Sequence, residues 1–71
     1  MHVVKVIELL AESDKSWEDA AQQAVTVASK TIRNIKSVYI QDFQATVENG
    51  KITTYRVNAK ISFVIEHADE E

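Results

Sequence analysis

The sequence predicts a small α+β domain with the element order β-α-β-β, in which one helix packs on a three-stranded antiparallel sheet. Three observations predict it. A run rich in β-branched residues opens the chain, apolar residues then recur at steps of three and four, and two strand-like segments flank an Asn49-Gly50 pair. A length of 71 residues fits one domain, so residues 1–71 are assigned to a single unit.

The first strand is predicted from His2 to Leu10, where aliphatic side chains occupy both odd and even positions. Such a run is typical of a strand that is covered on both faces. The short polar segment 11–15 then predicts a loop before the helix.

The helix is predicted from Ser16 to about Asn34, a length of about 28 Å at 1.5 Å per residue. Ser16 is a typical N-cap residue, and Glu18 and Asp19 place negative charge in the first turn, where the helix dipole favours it. We interpret Trp17 as a core anchor rather than a platform for a ligand. The apolar face comprises Trp17, Ala20, Ala21, Ala24, Val25, Ala28, Ile32 and Ile35.

Residues 37–48 and 51–66 are predicted to form a hairpin, because Asn49-Gly50 favours a type I′ turn in which both central residues have positive φ. Gln41 and Asp42 interrupt the apolar second strand. Either a bulge or a cation site built from symmetry-related copies of Asp42 would explain them. The acidic segment 67–71 is predicted to be frayed. The last strand places these apolar residues on one parity: Tyr55, Val57, Ala59, Ile61, Phe63 and Ile65.

The predicted hairpin and helix differ greatly in length. A strand of about 16 residues extends roughly 53 Å, whereas the helix covers about 28 Å. The second strand along the chain is also apolar on both faces, since Tyr39 and Phe43 alternate with Val38 and Ile40. We therefore predict that further copies of the chain cover the overhang. The alternative is a sharp bend that lets the hairpin cover itself.

The composition excludes several classes of function. The net charge is −3, from 8 basic and 11 acidic residues, which argues against nucleic acid and anionic membranes as partners. The chain has no cysteine, so it has neither a disulfide nor a thiol nucleophile. No secretory signal or membrane-spanning apolar stretch is found, and a cytoplasmic location is expected.

Side chains that could carry chemistry are few, and no enzyme is predicted because the common catalytic motifs are absent. Arg56, Asn58 and Lys60 share one face of the last strand and form either an anion or polar-ligand site or an ordinary solvated face. His2 and His67 are interpreted as solvated side chains rather than a metal pair. A further acidic group fits either Ca²⁺ or a capped, solvated loop, and consists of Glu12, Asp14, Glu18 and Asp19.

Several segments, taken in order and at their spacing, resemble a known family. They are Val4-Lys5-Val6-Ile7-Glu8, then Ser16-Trp17-Glu18-Asp19-Ala20-Ala21 with Ala24-Val25, then Gly50-Lys51-Ile52-Thr53 with Tyr55-Arg56 and Ile61-Ser62-Phe63. The chain resembles the dodecins from Val3 to Glu66. The resemblance implies the dodecin fold and assembly of the chain with itself into a hollow homododecamer.

Dodecins are best known as flavin-binding and flavin-storing proteins, so the resemblance also implies a flavin site. In those members a tryptophan early in the middle strand stacks on the isoalloxazine ring, and a glutamine on the last strand hydrogen-bonds the ring edge. This chain has Ser37 and Arg56 at the matching positions. Arg56 only donates hydrogen bonds, whereas an amide donates and accepts. Tyr39 shares the side of Ser37 and is the candidate substitute for the stacking ring.

The Ser-Trp-Glu and Gly-Lys-Ile-Thr segments are more similar to the calcium dodecins, a subgroup that lacks the flavin tryptophan. This resemblance implies Ca²⁺ bound by oxygen ligands at subunit junctions. The local charge of the hairpin makes Asp42 and Glu48 the candidate metal ligands.

The sequence thus predicts a homododecamer that binds or sequesters a small ligand or an ion, with a degenerate flavin site and calcium as the expected cofactor. One alternative is a dodecin that stores riboflavin or FMN by means of Tyr39 and Arg56. A second alternative is a purely structural assembly.

Overall fold

The computed structural model describes residues 3–65 and has the predicted order of elements. They are β1 (Val3–Ser13), α1 (Trp17–Ala28), β2 (Ile35–Glu48) and β3 (Lys51–Ile65). The strands form one antiparallel sheet in the order β1-β3-β2, so the last strand lies in the centre. The predicted fold class is confirmed. The segment 67–71, for which fraying was predicted, and both histidines lie outside the described residues.

The first strand is longer than the sequence predicted. β1 continues past Leu10 to Ser13, because its pairing with β3 extends through Glu12 opposite Arg56 and Ser13 opposite Tyr55. The hydroxyl of Ser13 is buried and accepts the backbone N–H of Lys15 at 2.9 Å. Polar residues at the end of β1 are therefore held by cross-strand pairing, which sequence periodicity did not show.

The helix is shorter than predicted, since it ends at Ala28 instead of near Asn34. A few turn-like hydrogen bonds follow it, and Asn34 then adopts a positive φ of 64°, which a continuing helix does not allow. Ile32 and Ile35 still pack against the core, but from the connection and from β2. Their helical spacing therefore correctly predicted that both residues pack against the core, but wrongly placed them on the helix.

The core lies between α1 and the central strand. Its helix side is made of alanines, which let the helix backbone approach the sheet closely. The buried apolar residues are Ala20, Ala24 and Ala28 on α1, and Val57, Ala59 and Ile61 on β3. The parity of β3 predicted from the sequence is the one that faces the helix.

The hairpin turn has the predicted backbone, with φ of 53° at Asn49 and 77° at Gly50. The register between β2 and β3 shifts between Ile40 and Asp42, which leaves Gln41 as the extra residue of a β-bulge. The bulge accounts for the polar interruption that the sequence showed in β2. It also places Phe43 opposite Val57, on the same face as Val38 and Ile40, so the predicted alternation of Phe43 with those two residues is wrong.

The molecule is long and thin, measuring 58 × 20 × 12 Å. Its radius of gyration is 15.0 Å, whereas a compact chain of this length has about 11 Å. The 12 residues of α1 span about 18 Å, while the 15 residues of β3 span about 50 Å. α1 packs mainly on β1 and β3 and leaves most of β2 bare. Within residues 3–65, no helix has the length and apolarity needed to cross a membrane.

Candidate functional site

The candidate site residues project from the sheet face opposite the helix, here called the outer face. β3 lies in the centre, so four of its residues on this face have a neighbour on both sides: Arg56, Asn58, Lys60 and Ser62. The register gives four rows across this face: Glu12, Arg56 and Gln44; Leu10, Asn58 and Asp42; Glu8, Lys60 and Tyr39; Val6, Ser62 and Ser37. The outer face is therefore polar and charged through its middle, with apolar residues along β1.

Ser37, which the sequence analysis matched to the stacking tryptophan, carries no ring and already has a partner. Its hydroxyl oxygen lies 2.6 Å from that of Ser62 on the neighbouring strand. Tyr39 occupies the next row, opposite Lys60, and its side chain is exposed to 63%. Tyr39 is the aromatic group nearest to Ser37 along β2, and it is open to solvent.

Arg56 is held in place by Glu12 on β1. Its Nη2 lies 2.9 Å from Glu12 Oε2, and its Nε donates to the same oxygen at 3.0 Å. Arg56 lies six residues along β3 from Ser62, a separation of roughly 20 Å. One chain therefore brings Ser37 and Tyr39 into adjacent rows, but it does not bring Arg56 to them.

The two candidate metal ligands are also far apart in one chain. Asp42 lies opposite Asn58, while Glu48 lies opposite Lys51 beside the turn. Six residues along β2 separate them, or roughly 20 Å. Among residues 3–65, no three His, Cys, Asp or Glu side chains are grouped closely enough to hold a metal ion. A calcium site that used Asp42 or Glu48 would need oxygen ligands from another copy.

Asn58 carries an unpartnered acceptor in the middle of the outer face. Its Oδ1 is buried and has no hydrogen-bond partner in the described part of the chain. A buried oxygen without a donor costs about 1–3 kcal/mol. The sequence predicted that Asn58 shares one face of the last strand with Arg56 and Lys60, and in the structure all three project from the outer face.

Of the acidic residues around the helix start, Asp19 stabilises the first turn of the helix. Asp19 accepts hydrogen bonds from Ser13 Oγ and Gln23 Nε2, each at 2.6 Å, while its backbone N–H donates to Ser16 Oγ at 2.9 Å. These hydrogen bonds, that from Ser13 first, hold the pKa of Asp19 below its ordinary value of 3.8, and Lys15 lowers it further. Ser16 is the N-cap that the sequence predicted.

Trp17 ties the start of the helix to the hairpin. Its ring packs edge-on against Tyr55 at 4.9 Å and Phe43 at 5.9 Å between centroids, and its Nε1 donates to the carbonyl oxygen of Gln44 at 2.8 Å. Trp17 thus acts as an anchor of the fold.

Glu12 is the residue of this region whose role the sequence did not show. It lay in a predicted loop, and only the register of β1 against β3 places it opposite Arg56. The opposite charges of the two residues were visible in the sequence, but they stand 44 positions apart.

Comparisons with known proteins all match this chain to dodecins. The model of the family described as dodecin matches residues 3–66. Calcium dodecin of Mycobacterium tuberculosis is 33% identical over 63 residues, which covers 89% of each chain. Dodecin of Thermus thermophilus is 28% identical over 64 residues, covering 90% of this chain and 93% of the relative.

Solved structures agree in fold. Dodecin from Streptomyces coelicolor superposes with a TM-score of 0.89 at 27% identity, covering 94% of this chain and 96% of that one. The calcium dodecin of M. tuberculosis, described as calcium chelating and as having a novel calcium-binding site, superposes with a TM-score of 0.79 at 33% identity, covering 97% and 99%. From its match to the family model and these likenesses, the chain belongs to the dodecin family.

Proposed function

We propose that twelve copies of this chain form a hollow shell that binds or sequesters an ion or a small ligand, with calcium as the cofactor and without a working flavin site. One observation carries the proposal. Both residues at the family's flavin-contacting positions already have partners within the chain, Ser37 with Ser62 and Arg56 with Glu12. Neither presents the ring or the free amide that a flavin needs.

Self-assembly is supported by the apolar side chains that one chain leaves uncovered. Val4, Val6 and Leu10 on β1 are each more than half exposed on the outer face, and Phe43 and Val47 on β2 are exposed on the helix side. Exposed apolar surface on both sides of one sheet marks contacts with other chains. Light scattering at micromolar concentration should give about 96 kDa, which is twelve times 8.0 kDa. A well-folded particle of 8.0 kDa would contradict the shell.

Calcium is supported by the likeness to calcium dodecin, the relative at 33% identity. Asp42 and Glu48 are exposed carboxylates on β2, and oxygen ligands of this kind suit Ca²⁺. Because they lie far apart in one chain, the proposed ion joins side chains of different copies. The site would therefore exist only in the assembled shell.

Titration calorimetry tests the ligand. The assembled protein should bind Ca²⁺, and Asp42→Asn and Glu48→Gln should each weaken binding at least tenfold. Asp14→Asn, which removes an exposed loop carboxylate, is the matched control and should bind as the parent does. Riboflavin should show no submicromolar binding. Submicromolar riboflavin binding would overturn the degenerate flavin site, and unchanged Ca²⁺ binding in both variants would overturn the assigned ligands.

A flavin-binding dodecin is the second candidate, and the exposure of Tyr39 favours it. A ring that is 63% open on the outer face offers a stacking surface. In this case the protein quenches flavin fluorescence, and Tyr39→Leu abolishes the quenching while Tyr55→Phe, on the helix side, leaves it intact. An assembly that binds neither Ca²⁺ nor flavin would instead support a purely structural role.

A further inference from the structure

The turn between β2 and β3 presents Asn49 and Gly50 to solvent. Both residues are exposed, and neither belongs to a strand. A Cβ built on Gly50 would meet no atom within 4 Å, so the peptide group that joins the two residues lies in open space. Asparagine is among the thermolabile residues of proteins, and here water and hydroxide reach its peptide group without any change in the fold.

The backbone nitrogen of Gly50 is free of the hydrogen bonds that hold the rest of the hairpin. The pairing of β2 with β3 ends at Glu48 and Lys51, and among residues 3–65 no turn hydrogen bond is donated by the Gly50 N–H. Such an N–H can lose its proton to hydroxide, and the nitrogen is then a nucleophile. The side-chain carbon within its reach is Cγ of Asn49, because attack there closes a five-membered ring.

The end of the hairpin can open locally without disturbing the core. The register of β2 against β3 shifts after Thr46, and only two residue pairs follow before the turn. One of these pairs is Val47 with Ile52, whose side chains are exposed to 60% and 53%. Opening a segment that buries so little apolar surface costs little free energy. The turn can therefore rotate until the side chain of Asn49 meets the nitrogen of Gly50.

The two other asparagines of the chain lack this combination of features. Asn34 has a similar φ of 64°, but its carbonyl oxygen accepts the N–H of Val64 at 3.2 Å. The next residue is Ile35, whose β-branched side chain crowds the backbone nitrogen. Asn58 lies in the central strand with a cross-strand partner on each side, and Ala59 after it is buried. Of the three asparagines, only the one in the turn has a free and uncrowded nitrogen next to it.

We propose that Asn49 is a site of spontaneous deamidation, for which the chain supplies its own nucleophile. The deprotonated nitrogen of Gly50 attacks Cγ of Asn49, the bond from Cγ to Nδ2 breaks, and Nδ2 takes a proton from water and leaves as ammonia. Water then opens the succinimide ring that has formed. Cleavage between the Gly50 nitrogen and Cγ gives aspartate, whereas cleavage between that nitrogen and the main-chain carbonyl carbon gives isoaspartate. No atom is oxidised or reduced in either route.

The modification changes both the charge and the shape of the turn. It adds a carboxylate next to Glu48, where the charges of Glu48 and Lys51 otherwise balance, and lowers the net charge of the chain by one from −3. Isoaspartate also carries its main chain through Cβ and Cγ, which lengthens a turn whose type depends on positive φ at both central residues. The modified protein is therefore separable from the parent by charge.

Incubation of the folded, full-length protein at 37 °C, at pH 6 and at pH 9, tests the site. Isoelectric focusing should show a more acidic species that accumulates faster at pH 9, because hydroxide generates the nucleophile. Peptide mass mapping should place the change at Asn49 and leave Asn34 and Asn58 intact. Protein isoaspartyl methyltransferase should label part of the product, which distinguishes isoaspartate from aspartate.

Variants of the turn test the mechanism. Gly50→Ala keeps the amide but places a Cβ beside the nucleophile, and should slow the reaction roughly tenfold or more. Asn49→Gln, which would have to close a six-membered ring, should also slow it, and Asn49→Gly should form no acidic species. Asn34→Gly removes the other asparagine with positive φ and should react as the parent does. An Asn49 that stays intact while a peptide of the same local sequence deamidates would overturn the proposal. An acidic species that maps to another residue, or equal rates in the parent, Gly50→Ala and Asn49→Gln, would overturn it as well.

Discussion

At the scale of the residue, the chemistry open to each outer-face side chain depends on its cross-strand neighbour. Arg56 on its own offers a free guanidinium, yet Glu12 takes two of its N–H groups with one oxygen. A partly exposed pair of this kind contributes at most about 1 kcal/mol to stability. Its consequence is therefore positional, because it holds the guanidinium beside Glu12 on the outer face. In the proposed loss of the flavin site, the missing ring at Ser37 is then the larger effect.

Replacing Ser37 by tryptophan should restore measurable riboflavin affinity. Stacking on an aromatic ring is worth about 1–3 kcal/mol, which corresponds to a gain in affinity of about fivefold to about 150-fold. Quenching of riboflavin fluorescence measures it, and Ser37→Leu, which adds an apolar side chain without a ring, serves as the control. If Ser37→Trp gives no gain while Ser37→Trp with Arg56→Gln does, the guanidinium also blocks the ring. No gain in either variant would refute a pocket that is otherwise intact.

Asp19 should make the stability of the fold depend on pH. Its pKa is lowered in the folded chain, chiefly by the hydrogen bond from Ser13. The unfolded chain therefore binds more protons in this range, so stability rises with pH. The contribution is fully present above the ordinary value of 3.8 and is lost as the pH falls through the lower folded pKa.

Urea unfolding between pH 7 and pH 3 measures this contribution. The parent should lose more stability on acidification than Asp19→Asn does. Asp14→Asn removes an exposed carboxylate of the neighbouring loop and should follow the parent. Equal acid sensitivity in the parent and Asp19→Asn would mean that the network around Ser13 does not depend on the charge.

At the scale of the element, the sequence correctly predicted the features that depend only on a few adjacent residues. The N-cap at Ser16, the positive φ values at Asn49 and Gly50, and the parity of β3 all follow from a few adjacent residues. The end of α1 was not predicted correctly, because it depends on how the chain reaches β2. The chain turns towards β2 through Asn34, which has a left-handed conformation. The extension of β1 to Ser13 depends on pairing with a strand more than forty residues away.

The hairpin turn can be tested at Gly50. Its φ of 77° favours glycine, and an added Cβ would meet nothing within 4 Å. The cost of Gly50→Ala is therefore conformational alone, about 1 kcal/mol, and urea unfolding should show that loss. Asn49→Gly should be close to neutral, because glycine readily adopts the φ of 53° found there. A neutral Gly50→Ala would show that the turn can change type without disturbing the strands.

At the scale of the whole molecule, the mismatch between helix and hairpin was visible in the sequence, and the structure makes it larger. α1 has 12 residues, whereas about 19 were expected, and the molecule is 58 Å long. The predicted site residues could not be assembled from one chain, because Arg56 lies far from Ser37 and Asp42 lies far from Glu48 along the sheet. A site between copies depends on how the copies are arranged. The spacing of residues along the strands of one chain does not predict that arrangement.

An assembly that covers the bare surfaces should make thermal stability depend on concentration. Unfolding of an oligomer releases separate chains, so dilution favours the unfolded state and Tm rises with protein concentration. Circular dichroism melts from 1 to 100 µM should show this rise. A Tm that is the same at every concentration would mean that one chain closes its own core. The six buried apolar residues of that core, four of them alanines, are a small basis for stability, which is why we expect the copies to supply the remainder.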